Sequence, residues 1–109
     1  VSVEDAVTGA AGIVNGTRIG VLPNRGTPAP PGLIQPSQWV ADAVYHPLWT
    51  PLLIAARNAG ATVMTGRELS INQAVDAFAL FTGVVPAHGA IAEAFDQALA
   101  AQETKDHAA

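Results

Sequence analysis

Residues 39–60 carry the sequence WVADAVYHPLWTPLLIAARNAG, and this stretch decides the fold. Residues 39–45 are apolar apart from Asp42, which predicts a parallel strand that is covered on both faces. Periodicity alone also fits a buried helical turn. Thr50 and Pro51 predict the start of a helix, because threonine caps free backbone N–H groups and proline at the first position has no donor to lose.

The predicted helix has an apolar side and a clear end. Leu52, Leu53 and Ala56 contribute to the apolar side, and Gly60 is placed for a left-handed C-cap. Strand, turn, helix and glycine stop form half of a βαβ unit. The next apolar run, residues 61–64, predicts the parallel strand into which the helix leads.

Two further elements are predicted before this unit. Ser2 followed by Asp5 resembles a capping box and predicts a short helix over residues 3–9, and residues 10–15 predict a strand. Residues 16–37 contain four glycines and five prolines, which break regular structure. Long loops in compact domains are commonly functional, so we place this one over a site at the carboxyl ends of the strands.

The rest of the chain predicts helices from about residue 67 to residue 102. One helix follows Gly66 and ends at Gly83, with apolar residues on two of its faces. An amphipathic helix then spans roughly residues 88–102. The polar tail from Gln102 onward is expected to fray.

Composition limits the class of protein. With 109 residues, half of them hydrophobic and 13% charged, the chain has room for one globular domain with one core. The net charge of −4 argues against a nucleic-acid partner, because no basic patch can neutralise phosphates. No cysteine is present for disulfides or thiolate metal sites, and no apolar run approaches the ~20 residues of a membrane span.

No motif for independent catalysis stands out. His46, His88 and His107 share no ligand spacing with a carboxylate, so we predict no metal site, and no glycine-rich phosphate loop is present. We interpret Asp42 as a satisfied structural aspartate rather than as a carboxylate with a perturbed pKa. Gln73 can both donate and accept hydrogen bonds, which suits contact with a substrate hydroxyl, although most polar residues on a helix are simply solvated.

Five short motifs occur in order along the chain: Asn15-Gly16-Thr17-x-x-Gly20, Asp42-x-x-Tyr45, Thr50-Pro51-Leu52-Leu53, Gly66 followed by Gln73-Ala74, and Phe81-Thr82-Gly83. Together they resemble the C-terminal portion of the shikimate/quinate dehydrogenase family, and most closely its quinate/shikimate branch. The resemblance implies an α/β fold: the C-terminal half of a Rossmann-type doubly wound parallel sheet with about three strands, followed by C-terminal helices. Residues 1–109 would then form a single partial domain.

The resemblance also implies site residues. By position, Tyr45 and Gln73 match residues that touch the substrate. A second set matches the nicotinamide cofactor site: Ala43, Gly66, Asn15, Thr17 and Leu69.

The intact protein that the resemblance implies transfers hydride between NAD or NADP and the ring of shikimate or quinate, in the cytoplasm. The family's catalytic lysine and aspartate and its glycine-rich loop would precede Val1, so we expect no catalytic residue in this chain. Its expected partners are the substrate and a missing N-terminal substrate domain, or a second copy through self-association. Arg18 and Glu68 depart from the family pattern and would place charges near the nicotinamide. They keep open an alternative, a non-catalytic paralogue or interaction module on the same half-fold.

Overall fold

The computed structural model describes residues 2–108, which divide into two compact units, one up to Arg67 and one from Glu68 onward. The first unit contains the sheet and the two α-helices that precede its last strand. The second is helical.

Three parallel strands form the sheet: β1 (Gly12–Asn15), β2 (Trp39–Asp42) and β3 (Thr62–Met64), in the order β1-β2-β3. The central strand β2 has Asp42 in register with Asn15 of β1. The predicted α/β class with about three parallel strands is therefore confirmed.

The strand β2 ends at Asp42, three residues earlier than predicted. Oδ1 of Asp42 accepts a hydrogen bond from the backbone N–H of Val44 at 3.0 Å. An aspartate that bonds the backbone two residues further on forms a turn of its own, which takes the chain out of the ladder. The strand β1 likewise begins at Gly12 rather than at residue 10.

Trp39 and Gly12 are partners across β2 and β1. The indole of Trp39, which is 48% exposed, lies across Gly12. Its ring atoms occupy the space that a Cβ on residue 12 would need.

The helix α2 (Pro51–Asn58) begins and ends as predicted. Oγ1 of Thr50 accepts a hydrogen bond from the N–H of Leu53 at 3.2 Å. At the other end Gly60 has φ +85°, and the N–H groups of Gly60 and Ala61 donate back to the last turn at 3.1 and 3.0 Å. This is the Schellman pattern, which satisfies carbonyl groups that a helix end would otherwise leave unpaired.

The core of the first unit forms where α2 packs near the sheet. Its buried apolar cluster consists of Ile34, Val40, Leu52, Leu53 and Ala56. Burial of such side chains is the main favourable term in folding, which is why the apolar side of α2 determines its position.

The helix α1 (Val3–Gly9) begins with a cap at Ser2, as predicted. Gln38 is 4% exposed and lies just before β2. Its Nε2 donates to the carbonyl oxygens of Val7 at 2.7 Å and Ala10 at 2.9 Å. Gln38 thereby ties the end of α1 to the amino end of β2.

The second unit begins within α3 (Gly66–Thr82). Gly83, with φ +73°, follows the last turn and ends α3 where the sequence predicts it. Ile71 is fully buried, whereas Leu80 and Phe81 are 85% and 90% exposed. The last turn of α3 therefore carries large apolar residues in contact with solvent.

The helix α4 (His88–Ala108) starts as predicted but continues beyond residue 102. The described residues of the tail are helical, Ala109 lies outside them, and the fraying of the tail remains a prediction. Alanine, glutamine, glutamate and lysine all favour helix, and they make up most of this segment. The hydroxyl of Thr104 also donates to the carbonyl oxygen of Ala100 at 3.0 Å.

Candidate functional site

A buried polar pair lies where β1 and β2 end. Nδ2 of Asn15 donates to Oδ1 of Asp42 at 3.1 Å, and the two residues are 2% and 0% exposed. The carboxyl ends of parallel strands meet at one edge of a sheet, and open α/β sheets bind their ligands at that edge. This pair therefore marks the end of the sheet at which a site is expected.

Asp42 accepts three hydrogen bonds. Oδ1 accepts from Asn15 and from the N–H of Val44, and Oδ2 accepts from the hydroxyl of Thr50 at 2.8 Å. The interpretation of Asp42 as a satisfied structural aspartate agrees with these contacts. Three separate segments, the end of β1, the turn after β2 and the start of α2, meet at one carboxylate.

The side chain of Asn15 has no hydrogen-bonding position left for a ligand. Its two N–H bonds go to Asp42 and to the carbonyl oxygen of Ile19 at 3.0 Å. Its oxygen accepts from the N–H and the hydroxyl of Thr17 at 3.0 and 2.6 Å. A cofactor role of Asn15 remains a prediction, and its side chain can serve it by holding Thr17.

A cleft of about 230 Å³ opens at this edge of the sheet. One side, the β1 side, consists of Thr17 and Val21, and the other, the β2 side, consists of residues 43–46. The N–H of Leu22 donates to the carbonyl oxygen of His46 at 3.2 Å and joins the two sides. The start of the long loop therefore lies where the sequence places it, whereas Ile34 near its end is part of the core.

The cleft brings together three of the predicted site residues, Thr17, Ala43 and Tyr45. Thr17 and Ala43 are exposed, and Tyr45 is 49% exposed, so all three can be reached by a ligand. Sequence reasoning missed the other lining residues. Val21 and Val44 carry no chemical signal, and only the aspartate two residues before Val44 indicates a turn there.

Gly66 is needed for close packing under the β2 side of the cleft. A Cβ at this position would lie 2.7 Å from the carbonyl carbon of Val44 and 2.8 Å from the carbonyl oxygen of Ala43. Real Cβ atoms essentially never approach other atoms so closely. Gly66 therefore supports the backbone of the cleft, and its contact with a cofactor remains a prediction.

Gln73 and Leu69 lie on α3 in the second unit, one helical turn apart. Gln73 is exposed, and Leu69 is partly buried. Their roles toward the substrate and the cofactor remain predictions.

Two further observations concern other classes of site. Among the residues that the structure describes, no group of three or more histidine, aspartate or glutamate side chains could hold a metal ion. His107 lies outside the described side chains. Between residues 2 and 108, no helix has the length and apolar character needed to cross a membrane.

Known proteins resemble this chain in sequence and in structure. No protein-family model matches it. The NAD(+)-dependent quinate/shikimate dehydrogenase of Corynebacterium efficiens is 45% identical over 84 residues, which are 77% of this chain and 30% of the relative.

Two solved structures share the fold. Quinate dehydrogenase from Corynebacterium glutamicum in complex with NAD has a TM-score of 0.81 and 40% identity, over 88% of this chain and 34% of that one. Shikimate 5-dehydrogenase from Thermus thermophilus in complex with NADP(H) and shikimate has a TM-score of 0.82 and 35% identity, over 90% and 37%.

The chain spans about a third of the length of the relatives that it matches. Over that third, the chain resembles these relatives both in sequence and in fold. Over its matched residues the chain is similar, in sequence and in fold, to part of the shikimate/quinate dehydrogenases.

Proposed function

We propose that this chain is part of an NAD- or NADP-dependent dehydrogenase that oxidises quinate or shikimate at a ring hydroxyl, or reduces the corresponding ketone. One observation carries the proposal. A cleft at the carboxyl ends of two parallel strands is lined by Thr17, Ala43 and Tyr45, in a chain 45% identical over 84 residues to a quinate/shikimate dehydrogenase.

The cleft suits one end of a dinucleotide. Its volume of about 230 Å³ is smaller than that of most complete ligand sites, which begin at roughly 300 Å³. It therefore fits a single ring rather than a whole cofactor. Val21, Ala43 and Val44 offer apolar contact to a flat ring, and the hydroxyl of Thr17 lies beside them.

The side chains of this unit would bind and orient rather than transfer protons. When bound, NAD or NADP supplies the hydride chemistry, and the protein positions the reacting carbon. Tyr45 offers a phenol hydroxyl to a substrate hydroxyl from the β2 side of the cleft. For the second unit, the family resemblance supports two roles: the Gln73 amide would bind a substrate hydroxyl, and Leu69 would give apolar contact to the cofactor. No residue of this chain is assigned the acid–base step.

The alternative, a non-catalytic interaction module, receives no support from the relatives, which are dehydrogenases. It depended in part on Arg18, whose charge was expected at the nicotinamide. Arg18 is exposed and lines a neighbouring open depression with Val21 and Leu22, and it is not among the residues that line the cleft.

The test is an assay of the intact protein that carries this chain. Quinate and shikimate are each paired with NAD and with NADP, and formation of the reduced cofactor is followed by absorbance. We expect saturable activity with at least one pair. If none of the four pairs is turned over although the folded protein is present, the proposed function is wrong.

A further inference from the structure

We propose that Asp42 is a positioning residue for this reaction, because its carboxylate fixes both sides of the cleft. This inference rests on the proposed function. Asp42 is 0% exposed and is not among the residues that line the cleft, so it would act through Asn15 and Val44.

On the β1 side, the carboxylate fixes the orientation of an amide. A carboxylate only accepts hydrogen bonds, so Nδ2 of Asn15 must face Asp42, and a flipped amide would direct its oxygen at the carboxylate. In the observed orientation Oδ1 of Asn15 faces Thr17 and accepts both its N–H and its hydroxyl. The position of Thr17 in the cleft thus depends on a carboxylate that it does not touch.

On the β2 side, the same oxygen of Asp42 fixes the turn that carries the lining residues. It accepts the N–H of Val44 at 3.0 Å, and the N–H of Ala43 donates to the carbonyl oxygen of Asn15 at 3.0 Å. Both bonds lie immediately before Tyr45 in the chain. They therefore fix the backbone position from which the side chain of Tyr45 projects.

An aspartate serves here better than an asparagine of the same shape. Oδ2 accepts the single hydroxyl proton of Thr50 at 2.8 Å, while the oxygen of Thr50 accepts the N–H of Leu53. In Asp42→Asn, one of the two oxygens becomes an NH2 group. If the NH2 faces Asn15 and Val44, both of these donors lose their acceptor, and if it faces Thr50, the threonine proton loses its buried acceptor. A buried donor without an acceptor is costly, so the network should loosen while the shape is retained.

The test compares Asp42→Asn with Gln38→Glu in the intact protein. Gln38 is a matched control because it is a buried residue at the other end of β2. Its exchange also keeps the shape of the side chain, but in the reverse direction, because an acid replaces an amide. Three quantities are measured for each: melting temperature, kcat/KM with the best substrate pair, and hydrogen–deuterium exchange over residues 15–22 and 43–47. The exchange readout does not require activity.

Positioning predicts a specific pattern. Both variants should lose melting temperature, but only Asp42→Asn should lower kcat/KM, by about 5- to 20-fold, and speed exchange in both segments by about tenfold or more. Unchanged exchange at residues 15–22 in Asp42→Asn would overturn the proposal, and so would faster exchange with unchanged kinetics.

Failure of the proposed function is recognised separately. In that case the wild-type protein turns over none of the four pairs. The exchange comparison with Gln38→Glu then decides by itself whether Asp42 holds the two sides of the cleft.

Discussion

Tyr45 is the single tyrosine of the chain, and its side chain is half-exposed on the β2 side of the cleft. Tyr45→Phe removes one hydroxyl and keeps the ring and its packing. If that hydroxyl binds a substrate hydroxyl, kcat/KM in the intact protein should fall by about 5- to 150-fold. Trp49→Phe is the control, because Trp49 is 38% exposed and stacks on Arg57 instead of lining the cleft. If kcat/KM of Tyr45→Phe is no lower than that of Trp49→Phe, the hydroxyl of Tyr45 does not bind the substrate.

Gln73 allows a cleaner separation of function from stability. It is exposed on α3, so Gln73→Ala should change the free energy of unfolding by no more than about 0.5 kcal/mol. If its amide binds a ring hydroxyl, kcat/KM should fall by about 5- to 150-fold. Asn72→Ala, the neighbouring exposed polar residue, should change neither quantity. A Gln73 variant with wild-type kinetics for both quinate and shikimate would show that it is not a substrate ligand.

Gly66 is a residue at which one added carbon should matter. Gly66→Ala places a methyl group against the backbone of Ala43 and Val44, and overpacking of this kind costs roughly 1–3 kcal/mol. Gly89→Ala makes the same glycine-to-alanine exchange at a position where nothing lies within 4 Å of the added Cβ. It should leave the free energy of unfolding unchanged or raise it. Denaturant unfolding of both variants checks this. A Gly66 variant as stable as Gly89→Ala would mean that the backbone can move aside.

At the scale of elements, Thr50 joins the start of α2 to the end of the sheet. It caps the helix through Leu53 and donates to Asp42, and it is 0% exposed. Thr50→Val keeps the shape but removes the hydroxyl, so it should cost about 1–3 kcal/mol of unfolding free energy. Thr50→Ser keeps the hydroxyl and should lose clearly less. Chemical denaturation measures both, and a serine variant as unstable as the valine variant would indicate that the methyl group, not the hydroxyl, matters.

The elements that the sequence predicts well are those with local signals. Thr50, Pro51 and Gly60 mark both ends of α2, and the structure begins and ends the helix there. The end of β2 is harder to predict from the sequence. The hydrogen bond from the N–H of Val44 to the side chain of Asp42 ends the strand inside an apolar run that looks continuous.

The site was predictable only in part, for a related reason. Thr17, Ala43 and Tyr45 came from the family resemblance, and each follows a strand end, so parallel pairing brings them together. The hydrogen bond between Asn15 and Asp42 joins residues 27 positions apart, and no local pattern indicates it. Such contacts become visible only when the register of the sheet is known.

At the scale of the whole molecule, large apolar side chains are exposed in both units. Leu80, Phe81 and Val85 are 85%, 90% and 77% exposed, and Val14 on the strand β1 is 61% exposed. Patches of this kind usually mark surfaces that are covered by a partner. The 109-residue chain on its own should therefore self-associate at micromolar concentration.

Light scattering and binding of a hydrophobic dye measure this association. Phe81→Gln should reduce both signals, because it removes the most exposed apolar side chain of α3. Ile54→Gln, at a 39% exposed position of α2, is the control and should reduce them less. If the chain is monodisperse and binds no dye, these exposed side chains do not drive self-association.

The indole of Trp39 fills the space above Gly12, and this has a consequence for how the sequence can vary. A residue larger than glycine at position 12 does not fit beside the indole of Trp39. A small residue at position 39 would leave room for a side chain at position 12. The two positions are therefore expected to change together among relatives, with glycine opposite a large aromatic or a larger residue opposite a small one. Covariation between them would reveal the pairing of β1 with β2 from sequences alone.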